Sequence, residues 1–129
     1  MILHNDGTGD FTNGQGMIDM VFYPETPGGN DNSGNYGSVW TDFDRDGDTD
    51  LFIAKCRQFV SDPYDYRRTN ILVINNGDGT FDHTNPLTGI SYAQERGLVN
   101  LEQSWTSDFA DIDNDGDFDC FLTTHSGTL

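Results

Sequence analysis

The chain has 129 residues, with 22 acidic side chains against 6 basic ones and a formal net charge of −16. That balance argues against nucleic acid and anionic membrane surfaces as partners, because both reward Lys and Arg, and it points to a cation. No run of about 18 apolar residues exists that could insert into a membrane, while a hydrophobic content of 34% and an aromatic content of 12% predict a packed, β-rich interior.

Taken in order, the opening "MILHNDGTG" lacks the charged and apolar regions of a secretory signal. Residues 12 to 36, including "PETPGGNDNSGN", read as an exposed connection rich in Gly, Asn and Pro. "GSVWTDFD" (37–44) is a strand entering an acidic loop, and "DLFIAKC" (50–56) is an apolar strand leaving it. "TNILVINN" (69–76) and "TFDHT" (80–84) are a third and fourth strand, joined by "NGDG", whose residue types tolerate the positive φ of a tight turn. The result is a four-stranded antiparallel meander. "PLTGISYAQERGLVN" (86–100) has room for one helical turn at "AQER". "SWTSDFAD" (104–111) and "DCFLTTHS" (119–126) then supply the first two strands of a second meander.

Two unlike motifs recur at nearly one period. "DFDRDGDTD" (42–50) returns as "DIDNDGDFD" (111–119), and "NDGTGDF" (5–11) returns as "NNGDGTF" (75–81). A unit of about 70 residues is duplicated, the signature of a repeat architecture.

The two acidic loops carry the chemistry. In the spacing D-x-D-x-D-G-x-x-D, side chains at positions 1, 3 and 5 converge, glycine at 6 permits the sharp turn, and position 7 offers its carbonyl. The first loop thus places Asp42, Asp44, Asp46 and Asp50 by side chain and Asp48 by carbonyl, around the turn at Gly47. The second places Asp111, Asp113, Asp115 and Asp119 by side chain and Asp117 by carbonyl, around Gly116. Hard oxygen donors at this density predict two Ca²⁺ sites; Mg²⁺ suits them less, because it keeps its waters. An EF-hand is excluded, since position 12 is Ile53 in one loop and Leu122 in the other, both inside strand-like runs. A carboxylate pair for glycoside hydrolysis fits poorly, as alternating ligands in a tight loop leave no room for a sugar ring. A merely solvated acidic turn is the bland alternative, weakened by the two in-register copies.

"YGSVWTDFDRDGDTDLFIA" followed by "NILVINNGDGTFDHT" resembles the FG-GAP or VCBS repeat, the calcium-binding blade of integrin-α-like propellers. Tyr36 and Gly37 stand where that family has Phe-Gly, and Asn75, Gly77, Gly79 and Phe81 match its "NxGxGxF" hairpin; Thr106 replaces Gly37 in the second copy. The resemblance implies an all-β, partial β-propeller of four-stranded antiparallel blades, about two of them present, each with its calcium loop between the first two strands. Residues 1–36 are then the end of a preceding blade and a connection, 37–85 a calcium-binding blade, and 86–129 a connection and the first half of the next. It also implies an extracellular or cell-surface protein. Because propellers close with four to eight blades, the remaining blades of the same propeller are expected partners, and the isolated chain is expected to be marginal or to self-associate.

No catalytic motif is present, and His4, His83 and His125 are scattered as surface or strand-end residues. Cys56 and Cys120 read as small buried apolar residues, with a disulfide as the alternative. "GGND" (28–31) is a loop, and Trp40, Trp105, Phe43, Phe52, Phe81, Phe109 and Phe121 are expected to pack between blades. Two functions follow: a non-catalytic calcium-stabilised binding or scaffold module for an unknown protein or glycan ligand, or part of a propeller-containing hydrolase or lyase acting on surface polysaccharide.

Overall fold

The computed structural model describes residues 2–14, 18 and 34–125. Most of the expected connection and the "GGND" stretch lie outside the described residues. The architecture is all-β. Strands β1 (Leu3–Asn5) and β2 (Phe11–Asn13) form a hairpin. Then β3 (Asn35–Thr41), β4 (Asp50–Lys55), β5 (Ile71–Asn75) and β6 (Phe81–Asp82) form one antiparallel sheet in sequence order. A single helical turn, α1 (Tyr92–Glu95), precedes the hairpin of β7 (Gln103–Ala110) and β8 (Asp119–His125). The predicted meander and half-meander are both present. At the edges the expected connection is shorter than residues 12–36, because Thr12 and Asn13 pair in β2 and Asn35 and Tyr36 belong to β3.

Strand β4 organises the core, and every one of its residues is buried. Period-two alternation sends its side chains to opposite faces. Leu51 and Ile53 pack with Ile71, Val73 and Ile18 on one face, bordered by Ile2 and Phe81. Phe52 and Ala54 pack with Leu72 and Ala93 on the other, where Phe109 and Leu122 of the second unit join them. A sheet buried on both faces is what a stacked repeat requires, since each unit covers the apolar face of the next.

The contact between units also requires a glycine. A Cβ on Gly37 would stand 2.8 Å from Thr106 Cα and 3.0 Å from Trp105 O, so the β7 backbone lies directly against β3 at a position that carries no side chain. The glycine is needed on the β3 side of this crossing. Thr106, its counterpart in the second copy, lies directly against it, with Oγ1 3.2 Å from where that Cβ would stand.

Antiparallel pairing places the turns. The β3–β4 loop and the β5–β6 turn share one end of the meander, and the β4–β5 and β6–β7 connections share the opposite end.

Candidate metal centre

Both acidic loops fold by the same local rules. Gly47 and Gly116 take φ of +99° and +97°, and the residues two before them, Arg45 and Asn114, take +64° and +61°. In each loop the first aspartate accepts from the glycine N–H: Asp42 Oδ2 from Gly47 at 3.1 Å and Asp111 Oδ2 from Gly116 at 3.0 Å. The fifth residue accepts from the seventh, Asp46 Oδ1 from Asp48 N at 2.9 Å and Asp115 Oδ1 from Asp117 N at 2.9 Å. The ninth closes the loop: Asp50 Oδ2 accepts from Phe43 N at 2.8 Å, and Asp119 Oδ2 from Ile112 N at 3.0 Å.

Carboxylate oxygens converge in both loops, but through different members. One oxygen each of Asp42, Asp44 and Asp50 lie within 4.8 Å of one another, and so do those of Asp111, Asp113 and Asp115. Asp46 stands outside the first group and Asp119 outside the second. The Asp48 carboxylate faces the β5–β6 turn, where a Cβ on Gly77 would meet its Oδ2 at 2.5 Å. The Asp117 carboxylate pairs with Arg45 Nη1 at 3.3 Å, linking the two loops across the unit boundary. Neither of these side chains belongs to a convergent group.

Asp50 is the most constrained of the set. It is fully buried, and its second oxygen accepts from Asn75 N of β5 at 2.8 Å. Burial pushes its carboxyl above the ordinary range, the two backbone N–H groups pull it back, and the negative Asp44 and Asp46 push it up again. Asp42 Oδ1 is buried with no hydrogen-bond partner. An unpartnered carboxylate oxygen is costly to bury, and here it belongs to a group of three carboxylates. Such an all-oxygen donor set fits a hard divalent cation.

Sequence reasoning missed two residues around these loops. Asn75 fixes Asp50 through its backbone N–H, and its side-chain amide donates to Thr49 O at 3.2 Å. Its place in "NxGxGxF" is the signal that marks it. Arg45 was only a spacer in the loop pattern and proves to be the inter-unit link.

Of the aromatic residues expected between units, Phe109 packs edge-on against Phe43 at 5.9 Å and Phe52 at 5.4 Å, and this trio does form the junction. Trp105 meets Tyr36 across the unit boundary at 5.6 Å with part of its surface still exposed, Trp40 and Phe81 pair at 6.4 Å within the first unit, and Trp40 and Phe121 remain exposed among the described residues. Both cysteines are free. Cys56 is buried and donates to Gln103 Oε1 at 2.9 Å, whereas Cys120 is half-buried on β8. His4 is exposed, His83 directly follows β6, and His125 ends β8.

Comparison with curated proteins and with solved structures finds no match. The FG-GAP-like repeat family matches residues 42–122, a span that begins at the first acidic loop and ends in β8. That match covers well over half of the chain, and its span contains both acidic loops and the β5–β6 hairpin: the protein belongs to the FG-GAP-like repeat family.

Proposed function

We propose that this chain is a calcium-stabilised, non-catalytic binding or scaffold module, part of a larger extracellular β-propeller. The FG-GAP-like repeat supports a propeller-type repeat module. The calcium reading rests on one observation above the others: Asp42 Oδ1, buried without a partner, in a group with Asp44 and Asp50. A bound Ca²⁺ would supply positive charge there, relieving repulsion among the carboxylates. In the first loop Asp42, Asp44 and Asp50 would hold it by side chain, Asp48 by its carbonyl and Asp46 from the rim. In the second loop Asp111, Asp113 and Asp115 would do so, with Asp117 by its carbonyl and Asp119 closing the shell.

The expected dissociation constants are about 10⁻⁴ to 10⁻³ M, the range of extracellular modules, and such sites fill only where calcium is abundant. That is the physical link between these loops and an extracellular location. Calorimetric titration and thermal melts in calcium, in magnesium and in chelator test the reading. Two calcium sites are expected, with stabilisation of about 2.7 kcal/mol when calcium exceeds the dissociation constant a hundredfold. Asp50→Ala should abolish or greatly weaken one site, whereas Asp48→Ala keeps the carbonyl and loses only a nearby charge. Melts indifferent to calcium, or equal losses for Asp48→Ala and Asp50→Ala, would refute it.

A further inference from the structure

The end of the first meander opposite the acidic loops holds a cavity of about 670 Å³, within the range of small-molecule sites. Four stretches of chain line it. Tyr64 and Tyr66 come from the β4–β5 connection, His83 and Thr84 from the residues after β6, and Ser91 and Gln94 from the α1 turn. Ile90, Val99 and Leu101 add apolar surface. None of the lining residues is Asp, Glu, Lys or Arg, although the chain as a whole carries a net charge of −16.

We propose that this cavity is a binding site for a neutral sugar ring, independent of the calcium loops. The chemistry of the lining is that of a pyranose. Such a ring presents a C–H face that packs on aromatic and aliphatic side chains, and a rim of hydroxyls that exchange hydrogen bonds with hydroxyl, amide and imidazole groups. The lining itself offers no counter-ion to an acidic sugar, and the two guanidinium groups behind it are already engaged, Arg67 by Asp65 and Arg68 by the Val60 and Leu101 carbonyls.

The walls are held before any ligand arrives, which lowers the cost of binding. Asp65 accepts from Arg67 Nε at 2.8 Å and Nη2 at 2.7 Å, and the guanidinium so fixed lies 5.7 Å from the centre of the Tyr66 ring. This pairing with Arg67 holds the Asp65 carboxyl below its ordinary range. Arg68 donates to Val60 O at 3.1 Å and Leu101 O at 3.2 Å, tying the tyrosine segment to the opposite stretch of chain. On the other side Glu95 accepts from Asn85 Nδ2 at 3.0 Å, and Tyr92 N donates to His83 O at 3.0 Å, so the helical turn is fastened to the strand before it. Tyr64 keeps 74% of its surface exposed and is free to stack on a ring.

The test is an amide-resolved NMR titration of the whole chain in calcium. The probes are the methyl glycosides of glucose, galactose, mannose and N-acetylglucosamine, the disaccharides maltose and lactose, and methyl glucuronide as the charged counterpart. At least one neutral sugar should give saturable shifts at Tyr64, Ser91 and Gln94, leaving the acidic loops unmoved, with methyl glucuronide binding more weakly. Tyr64→Ala and Gln94→Ala, both at exposed side chains, should keep the wild-type melting temperature and each weaken binding by about tenfold. The proposal is overturned if no neutral sugar shifts these residues at tens of millimolar. It is equally overturned if the glucuronide binds as well as its neutral partner, or if Tyr64→Ala leaves the affinity unchanged. A calcium titration without effect would leave these results standing, so the two readings fail separately.

Discussion

The two acidic loops share nine-residue spacing, turn geometry and the same set of aspartates, yet the structure treats them differently. In the first, the ninth residue, Asp50, is buried and held from its own loop by Phe43 N and from β5 by Asn75 N. In the second, its counterpart Asp119 is exposed and held only by Ile112 N, and among the described residues no strand pairs with the outer edge of β8. The first loop leaves Asp42 Oδ1 without a partner, whereas both oxygens of Asp111 accept backbone N–H groups. A repeated motif therefore supplies donors, and the neighbouring strand decides which of them are aimed inward. Loop one is braced and short of positive charge; loop two is self-satisfied and open.

The largest expected effect contrasts the two closing residues. In chelator, Asp50→Ala leaves two part-buried N–H groups without this acceptor and should cost on the order of 1–3 kcal/mol, while Asp119→Ala should stay within about 0.5 kcal/mol. Urea denaturation of both variants measures this, and equal losses would mean that the third strand does not distinguish the loops.

Next in size is the unit boundary. Gly37→Ala drives a Cβ into the Thr106 backbone and should cost about 1–3 kcal/mol, whereas Thr106→Ala, on the tolerant side of the same crossing, should cost less. Comparable melting temperatures for the two variants would break the assignment of the glycine to one side of the junction.

A smaller effect appears in pH. Because the Asp50 carboxyl lies above its ordinary value in the folded protein, the native state binds that proton more tightly than the unfolded chain does. Its unfavourable contribution is fully present above the folded pKa and is relieved as pH falls through it towards the unfolded value of about 3.9. Calcium-free wild type should therefore gain stability relative to Asp50→Asn on acidification through this window. A difference between the two that does not vary with pH would contradict the burial argument.

Smallest of all is the inter-loop link. Arg45 and Asp117 have side chains 57% and 85% exposed, so Arg45→Ala should barely move the melting temperature, and any change should vanish in molar salt. A large, salt-insensitive loss would show that the loops are coupled more tightly than an exposed ion pair allows.

Much of this was legible in the chain itself, where the information is local. The short apolar run in "DLFIAK" marks a strand, and glycine at the sixth loop position marks the turn, because both follow from backbone sterics over a few residues. The hairpin "NNGDGTF" also folds by neighbours: Asn75 Oδ1 accepts from Gly77 N, and Asp78 Oδ1 from Thr80 N. The first copy, "NDGTGDF", does the same with Asn5 and Gly7 and with Asp6 and Thr8, so the displaced acid serves an equivalent turn.

What the sequence could not rank were residues whose role depends on distant chain. The spacing gives Asp50 and Asp119 the same closing role, but only contact with Asn75, 25 residues away, sets Asp50 apart. Trp105 and Phe121 carry the same packing potential as Phe109, yet Phe109 is covered by Phe43 and Phe52 across the unit boundary, Trp105 meets Tyr36 there with one face still exposed, and Phe121 stays exposed. The cavity is assembled from four stretches with no shared motif. The repeat, the strand order and the donor types were set by nearest-neighbour chemistry and were therefore written in the sequence. Which carboxylates converge, which rings are covered and where a cavity opens depend on how strands distant in sequence stack, and only the tertiary structure decided them.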